Sequence, residues 1–201
     1  MSDRSLEALI VDHIDELESA LAHANTFITP ILGKRTAEII EEKKSEFGWA
    51  GQIADELNDD QWLAPEEWRN ASDPDDNFDL YIELGDTYPG VESDTWLGTF
   101  CGWQNARLQF SLATNALKPR QWKLLLQSES ILVEQLAATG FQCNLKDGDL
   151  FLPILIDQKA LAEAFEENDF ETAFKPFAEQ LDLFQKARPI LDNLVEAIRR
   201  F

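Results

Sequence analysis

From Phe78 onward the apolar residues alternate strictly, whereas before it they recur at intervals of three and four, and no all-helical or all-strand fold accommodates both patterns. Phe78, Leu80, Ile82 and Leu84 alternate with Asp79, Tyr81 and Glu83, the period of a strand with one buried face. Upstream, Leu6, Leu9, Ile10, Ile14, Leu17 and Leu21 fall at helical spacing behind Ser2 or Ser5 as N-cap, which predicts an amphipathic helix over about residues 3–24. A second helical pattern, Ile31, Thr36, Ile39, Ile40 and Phe47, starts at Thr29-Pro30 and closes at Gly48, so the two are expected to form a helical hairpin.

The segment from Ala50 to Asn70 reads as a short helix followed by a Trp-rich linker, in which Pro65 opens a last turn carrying Glu66, Glu67 and Trp68. Asp73 to Asn77 has the residues of a turn. Beyond the first strand, Thr95–Gly102 and Ala106–Thr114 read as two more, joined through Trp103-Gln104-Asn105 into an antiparallel hairpin. Ala106, Leu108, Phe110 and Leu112 share one face there, with Arg107, Gln109 and Ser111 on the other. Leu117–Thr139 is expected to be a helix covering the sheet, with Gly140 just past its end. Asp147-Gly148 then marks a hairpin between two further strands, with Pro153 at an edge or a bulge. Gln158 to Phe201 is helical, and Pro176 and Pro189 start, kink or divide its helices.

The expected class is therefore α+β: an N-terminal helical hairpin, a mostly antiparallel sheet of about five strands covered by a helix, and C-terminal helices. The one plausible boundary lies between Gly48 and Ser72. It separates a hairpin of residues 1–48 from an α+β domain of residues 49–201, unless the two are continuous. With 201 residues, 44% of them hydrophobic, the chain can bury a substantial core.

Charge constrains function more than fold. Between Ser45 and Ala106 fifteen acidic side chains, Glu46 through Asp94, stand against a single basic one, Arg69, within a net charge of −21. Such a surface repels phosphate backbones and attracts cationic proteins or metal ions. Thirteen Phe and six Trp argue against an acidic disordered chain, because such chains are poor in aromatic residues. A salt-adapted composition would also produce acidity, but spread evenly along the chain rather than clustered. Cys101 and Cys143 lack a Cys or His at metal-ligand spacing and suit a reducing compartment. The N-terminus has acids interrupting its apolar positions and lacks a signal-peptide core, so a cytoplasmic protein is expected.

Motifs for chemistry are few. DPDDNFDLYIEL resembles a calcium loop but places Phe78 where that loop needs Gly. Asp79 and Glu83 suggest a metal-dependent nuclease, yet the required Lys two residues after the second acid is Gly85. His13 and His23 lie ten residues apart on one helix and share no face, and no nucleophile elbow or phosphate-binding loop accompanies them. Lys118, Arg120, Lys123, Arg199 and Arg200 are too few for a nucleic-acid footprint. The five tryptophans Trp49, Trp62, Trp68, Trp96 and Trp103 overlap the acidic stretch, either as interface anchors or as plugs in the seam between helices and sheet.

These residues point to a non-catalytic acidic protein that docks on a basic protein, in the manner of an inhibitor, an immunity protein or a mimic of DNA charge, with no cofactor, no direct nucleic acid and no membrane contact. The residues expected to face the partner are Asp59, Asp60, Glu66, Glu67, Asp73, Asp75, Asp76, Asp79, Glu83, Asp86, Glu92 and Asp94, with Trp62 and Trp68 as anchors. The alternatives are an accessory or regulatory domain of a multi-protein bacterial system, or a divalent-metal hydrolase using Asp79, Glu83, Asp86 or Asp94.

Overall fold

A computed structural model describes residues 3–72, 77–87 and 93–201. The expected residues Asp73, Asp75, Asp76 and Glu92 lie outside the described residues, as does the turn at 73–76.

The N-terminal region is one helical rod rather than a hairpin. α1 (Asp3–Asp12) and α2 (Ile14–His23) join across His13, whose φ of −112° and ψ of 20° bend the rod without ending it. The ladder runs on through His13 N–H to Leu9 O and Leu17 N–H to His13 O. A π-helical turn (Ala24–Ile28) then leads into α3 (Thr29–Phe47). No strong breaker separates the two apolar patterns, and the wider π turn just ahead of Pro30 absorbs the missing N–H that would otherwise stop the helix. α3 ends at Gly48, whose φ of 66° lets its N–H turn back to Lys44 O and Ser45 O. Gly33, inside α3, is required by packing: a Cβ there would meet Asp55 O at 2.1 Å.

Among the described residues six strands, all antiparallel, make one sheet, one more than expected. β1 (Trp49–Gln52), β2 (Trp62–Pro65), β3 (Tyr81–Thr87), β4 (Arg107–Ala113), β5 (Gln142–Asn144) and β6 (Asp149–Ile154) lie in the order β1-β2-β3-β4-β6-β5. β1 and β2 fall where a short helix and linker were expected, because four-residue strands are too short to display their period. Pro65 does precede a turn, Glu66–Trp68. The expected strand at Thr95–Gly102 is instead α4 (Trp96–Phe100), capped by Thr95, whose Oγ1 accepts from Gly98 N–H at 3.0 Å. Pro153 pairs with Gln109 where β5 no longer accompanies β6, so it lies at a local edge.

The expected helix over 117–139 divides at Glu129 into α5 (Pro119–Ser128) and α6 (Ser130–Ala138). α6 closes in a Schellman motif: Gly140 N–H bonds Ala137 O, Phe141 N–H bonds Leu136 O, and Gly140 has φ 112°. α7 (Gln158–Glu167) is followed by α8 (Glu171–Arg200), which stays one helix despite Pro176 and Pro189. Its stripe from Phe174 through Phe177, Leu181, Phe184, Leu191 and Leu194 is fully buried, while Pro189 faces solvent and Pro176 is half-buried. Burial along the whole stripe outweighs two proline defects of about 3 kcal/mol each.

α8 packs against Leu108, Phe110 and Leu112 of β4 and their partners Ile82, Leu84, Leu152 and Ile154, with Phe110 edge-on to both Phe177 and Phe184. α3 runs beside α8, joined by Lys43 to Asp182 at 2.8 Å. Trp62, Tyr81, Glu83, Gln109, Ser111, Phe151 and Pro153, on the opposite face of the sheet, remain half-exposed. No helix among the described residues is long and apolar enough to cross a membrane.

Candidate functional site

Folding sorts the acidic segment into two groups. The first is drawn into an internal network with the end of α8. Arg199 Nε donates to Asp79 Oδ2 at 2.7 Å, and its Nη2 donates to the carbonyls of Glu67 and Arg69 at 2.9 and 3.3 Å. Trp68 is buried and its indole N–H bonds Asp192 at 2.7 Å. Arg188 pairs with Glu67 at 2.7 Å, holding that carboxyl below the usual range through hydrogen bonds from the Glu67 backbone and the guanidinium. Arg69 takes Glu66 at 2.9 Å and lies over the Phe78 ring. Asp79, 4% exposed, and Trp68, 2%, thus serve the tertiary structure, whereas the side chains of Glu66 and Glu67 are paired but 57% and 70% exposed. With Asp79 held by Arg199, it does not converge with Glu83 in the manner a two-carboxylate metal site needs. Among the described residues no group of three or more His, Cys, Asp or Glu is placed to hold a metal ion.

The second group lines three depressions, two of which share Asn58 and Trp96. At the edge of the uncovered sheet face, Asp60, Gln61, Trp62, Phe78, Tyr81, Glu83 and Asn115 enclose a cavity of about 190 Å³. β2 and β3 place Trp62 directly across from Glu83, and the rings of Trp62 and Tyr81 stand edge to face with centroids 6.5 Å apart. None of these seven residues is basic. Burial, reinforced by the Asp60 charge, pushes the Glu83 carboxyl above its ordinary range, and burial with Glu83 and Asp60 pushes up the Tyr81 hydroxyl. Gln61 is 2% exposed, and neither its amide oxygen nor its amide nitrogen has a hydrogen-bond partner. Such an orphan destabilises by about 1–3 kcal/mol where no water or ligand group satisfies it.

Further along, Asp86 and Asp94 line a second depression with Asn25, Asn58, Ser93, Thr95 and Trp96. Asp55 and Glu56 line a third with Asn58, Trp96 and Lys34. The 55–60 loop links all three, and Trp96 Nε1 bonds Asn58 Oδ1 at 2.9 Å to tie α4 to that loop. Asp59 sits on the same loop, exposed. Of the sequence candidates, the structure therefore brings Asp60, Trp62 and Glu83 together at one depression and Asp86 and Asp94 together at another, with Asp59 exposed on the loop between. Gln61, Tyr81, Asp55 and Glu56 join them unanticipated. Period-two alternation already put Tyr81 and Glu83 on the polar face; nothing in the sequence showed that the 55–60 loop folds against it.

Because the folded-state pKa of Glu83 is raised, the folded protein binds that proton more tightly than the unfolded chain does. The corresponding stability is present at acid pH and is lost as pH rises through the raised value. Glu83→Gln is accordingly expected to unfold slightly later than the parent at pH 7 and together with it at pH 4, measured by thermal denaturation at the two pH values. A variant less stable at pH 7 would contradict the desolvated state of this carboxylate.

Cys101 and Cys143 are free and half-buried, and burial raises both thiols, which disfavours the reactive thiolate. The chain matches no protein-family model, no curated protein and no solved structure.

Proposed function

We propose that this chain is a non-catalytic docking protein whose acidic rim engages a basic protein, as an inhibitor, immunity protein or charge mimic does. The observation that supports this reading is the acidic lining: Asp55, Glu56, Asp60, Glu83, Asp86 and Asp94 border three depressions to which the 55–60 loop contributes, Asp59 is exposed on that loop, and Lys34 is the one basic residue among the described residues lining those depressions. Like charges held together weaken the folded state, and a cationic partner relieves that repulsion while the field steers its approach.

A second reading comes from a separate surface. Leu6, Ile10, Val11, Ile14, Leu17 and Leu21, between 40% and 71% exposed, run along α1 and α2 at three-and-four spacing, and α2 buries none of its residues. A helix of this length without tertiary contacts is marginal in water, and an apolar stripe of this size marks an interaction site. This stripe suits a second helix, as in a coiled coil.

One experiment separates the two readings. The tagged full-length chain, the Asp59→Asn/Asp60→Asn/Glu83→Gln variant, a control losing the same charge at Glu163, Glu166 and Glu179, and Leu17→Asp are each used to capture binding proteins at low and high salt, and captured partners are rebuilt from purified components. The acidic-rim reading expects a basic partner that is retained by the control and Leu17→Asp, lost by the rim variant and weakened by salt. Loss with Leu17→Asp alone, with capture strengthened by salt, would move the interface to the helical stripe.

A further inference from the structure

The cavity beside Glu83 has a more specific chemistry than general acidity. Two carboxylates, Asp60 and Glu83, border it without a basic residue among its lining. Two aromatic rings, Trp62 and Tyr81, border it with ring surface that no cation among the described residues covers; Phe78 lines it too, its centroid 5.1 Å from that of Trp62, but its ring already carries the Arg69 guanidinium at 4.6 Å. Aromatic faces combined with carboxylates favour an organic cation over a hydrated metal ion, because the rings attract positive charge through their quadrupoles and the apolar wall covers the methylenes that carry it. The orphan amide of Gln61 narrows the class further. Its oxygen needs an N–H donor, which an ammonium or guanidinium group supplies and a quaternary ammonium does not. A volume of about 190 Å³ suits the end of one side chain rather than a larger ligand.

Resting on the docking function proposed above, we propose that the cavity of Asp60, Gln61, Trp62, Tyr81 and Glu83 receives the N–H-bearing cationic end of one side chain of the partner, a lysine ammonium or an arginine guanidinium. The pocket then provides the central, desolvated anchor of the interface while the surrounding carboxylates supply steering.

The test titrates the full-length protein with n-butylammonium, ethylguanidinium, tetramethylammonium and n-butanol while following the Trp62 indole and Tyr81 amide resonances. Saturable shifts are expected with the first two at millimolar concentrations, the affinity proper to ligands of so few atoms. Glu83→Gln, which keeps the shape and removes the charge, should weaken them at least about tenfold. Equal response to n-butanol would make the cavity merely apolar, equal or stronger response to tetramethylammonium would remove Gln61 from the argument, and unchanged binding by Glu83→Gln would reduce the effect to bulk charge; each of these overturns the proposal. Capture of a basic protein that survives Glu83→Gln while n-butylammonium fails to bind would overturn the pocket and leave the acidic-rim reading standing.

Discussion

Truncating Phe184 to alanine is expected to lower the unfolding free energy by about 3–5 kcal/mol and the melting temperature by roughly 10 °C. Phe184 is fully buried at the middle of α8, edge-on to Phe110 of β4 with centroids 6.3 Å apart and to Phe141 at 4.9 Å. It is where the long helix, the central strand and the turn after α6 meet. Removing the ring loses its transfer free energy and leaves a cavity that Phe110 cannot close, because it also meets Phe177, which stacks on Phe174. Urea denaturation should show the midpoint falling with little change in slope. A loss under about 1 kcal/mol would mean that α8 does not pack on the sheet as the structure has it.

The second large effect is electrostatic. Arg199→Ala removes the partner of a carboxylate whose side chain is 6% exposed, and with it the donor to the carbonyls of Glu67 and Arg69. Breaking a buried pair typically destabilises by about 3–5 kcal/mol, and since the Arg199 side chain is itself 35% exposed, water offsets part of the loss and the expected value is near the lower end, about 3 kcal/mol. Adding Asp79→Asn to Arg199→Ala should recover about half of that, because an amide is less unfavourable to leave without a charged partner than a carboxylate. A double-mutant cycle measured by chemical denaturation reads the coupling directly. Strict additivity of the two substitutions would show that Asp79 and Arg199 do not depend on each other, and the clamp between the 66–69 segment and α8 would have to be sought elsewhere.

Helix and strand type were readable wherever a segment was long enough to display its period. Phe78–Leu84 and Ala106–Thr114 alternate over several residues; the first overlaps the start of β3 and the second contains β4, with the inward and outward residues as expected except Asp79, which is buried. Trp49–Gln52 and Trp62–Pro65 span less than two full alternations and passed as helix and linker. Thr95–Gly102 misled in the other direction: its aromatic and β-branched residues favour a strand, but the capping bond from Gly98 N–H to Thr95 turns the segment into α4. Pro189 shows a local rule overridden by burial, since a helix anchored at Phe184 on one side and Leu191 on the other continues through it.

The candidate site was legible only in its ingredients. Asp60, Trp62 and Glu83 were chosen for charge and aromatic content, on the same grounds as Asp79, Glu67 and Trp68, and nothing in local spacing separates the two sets. Arg188 and Arg199, more than a hundred residues away along the chain, claim Glu67 and Asp79, while the pairing of Trp62 with Glu83 across β2 and β3 leaves Glu83, with Asp60, bordering a cavity.

Amino-acid order alone determined the α+β class, the antiparallel central strands and the amount of negative charge, because hydrophobic period and composition are properties of neighbouring residues. Which carboxylates that charge presents, and which it consumes internally, was decided only when distant segments met. Coulombic pairing and desolvation act through space over a few ångströms, whatever the separation along the chain.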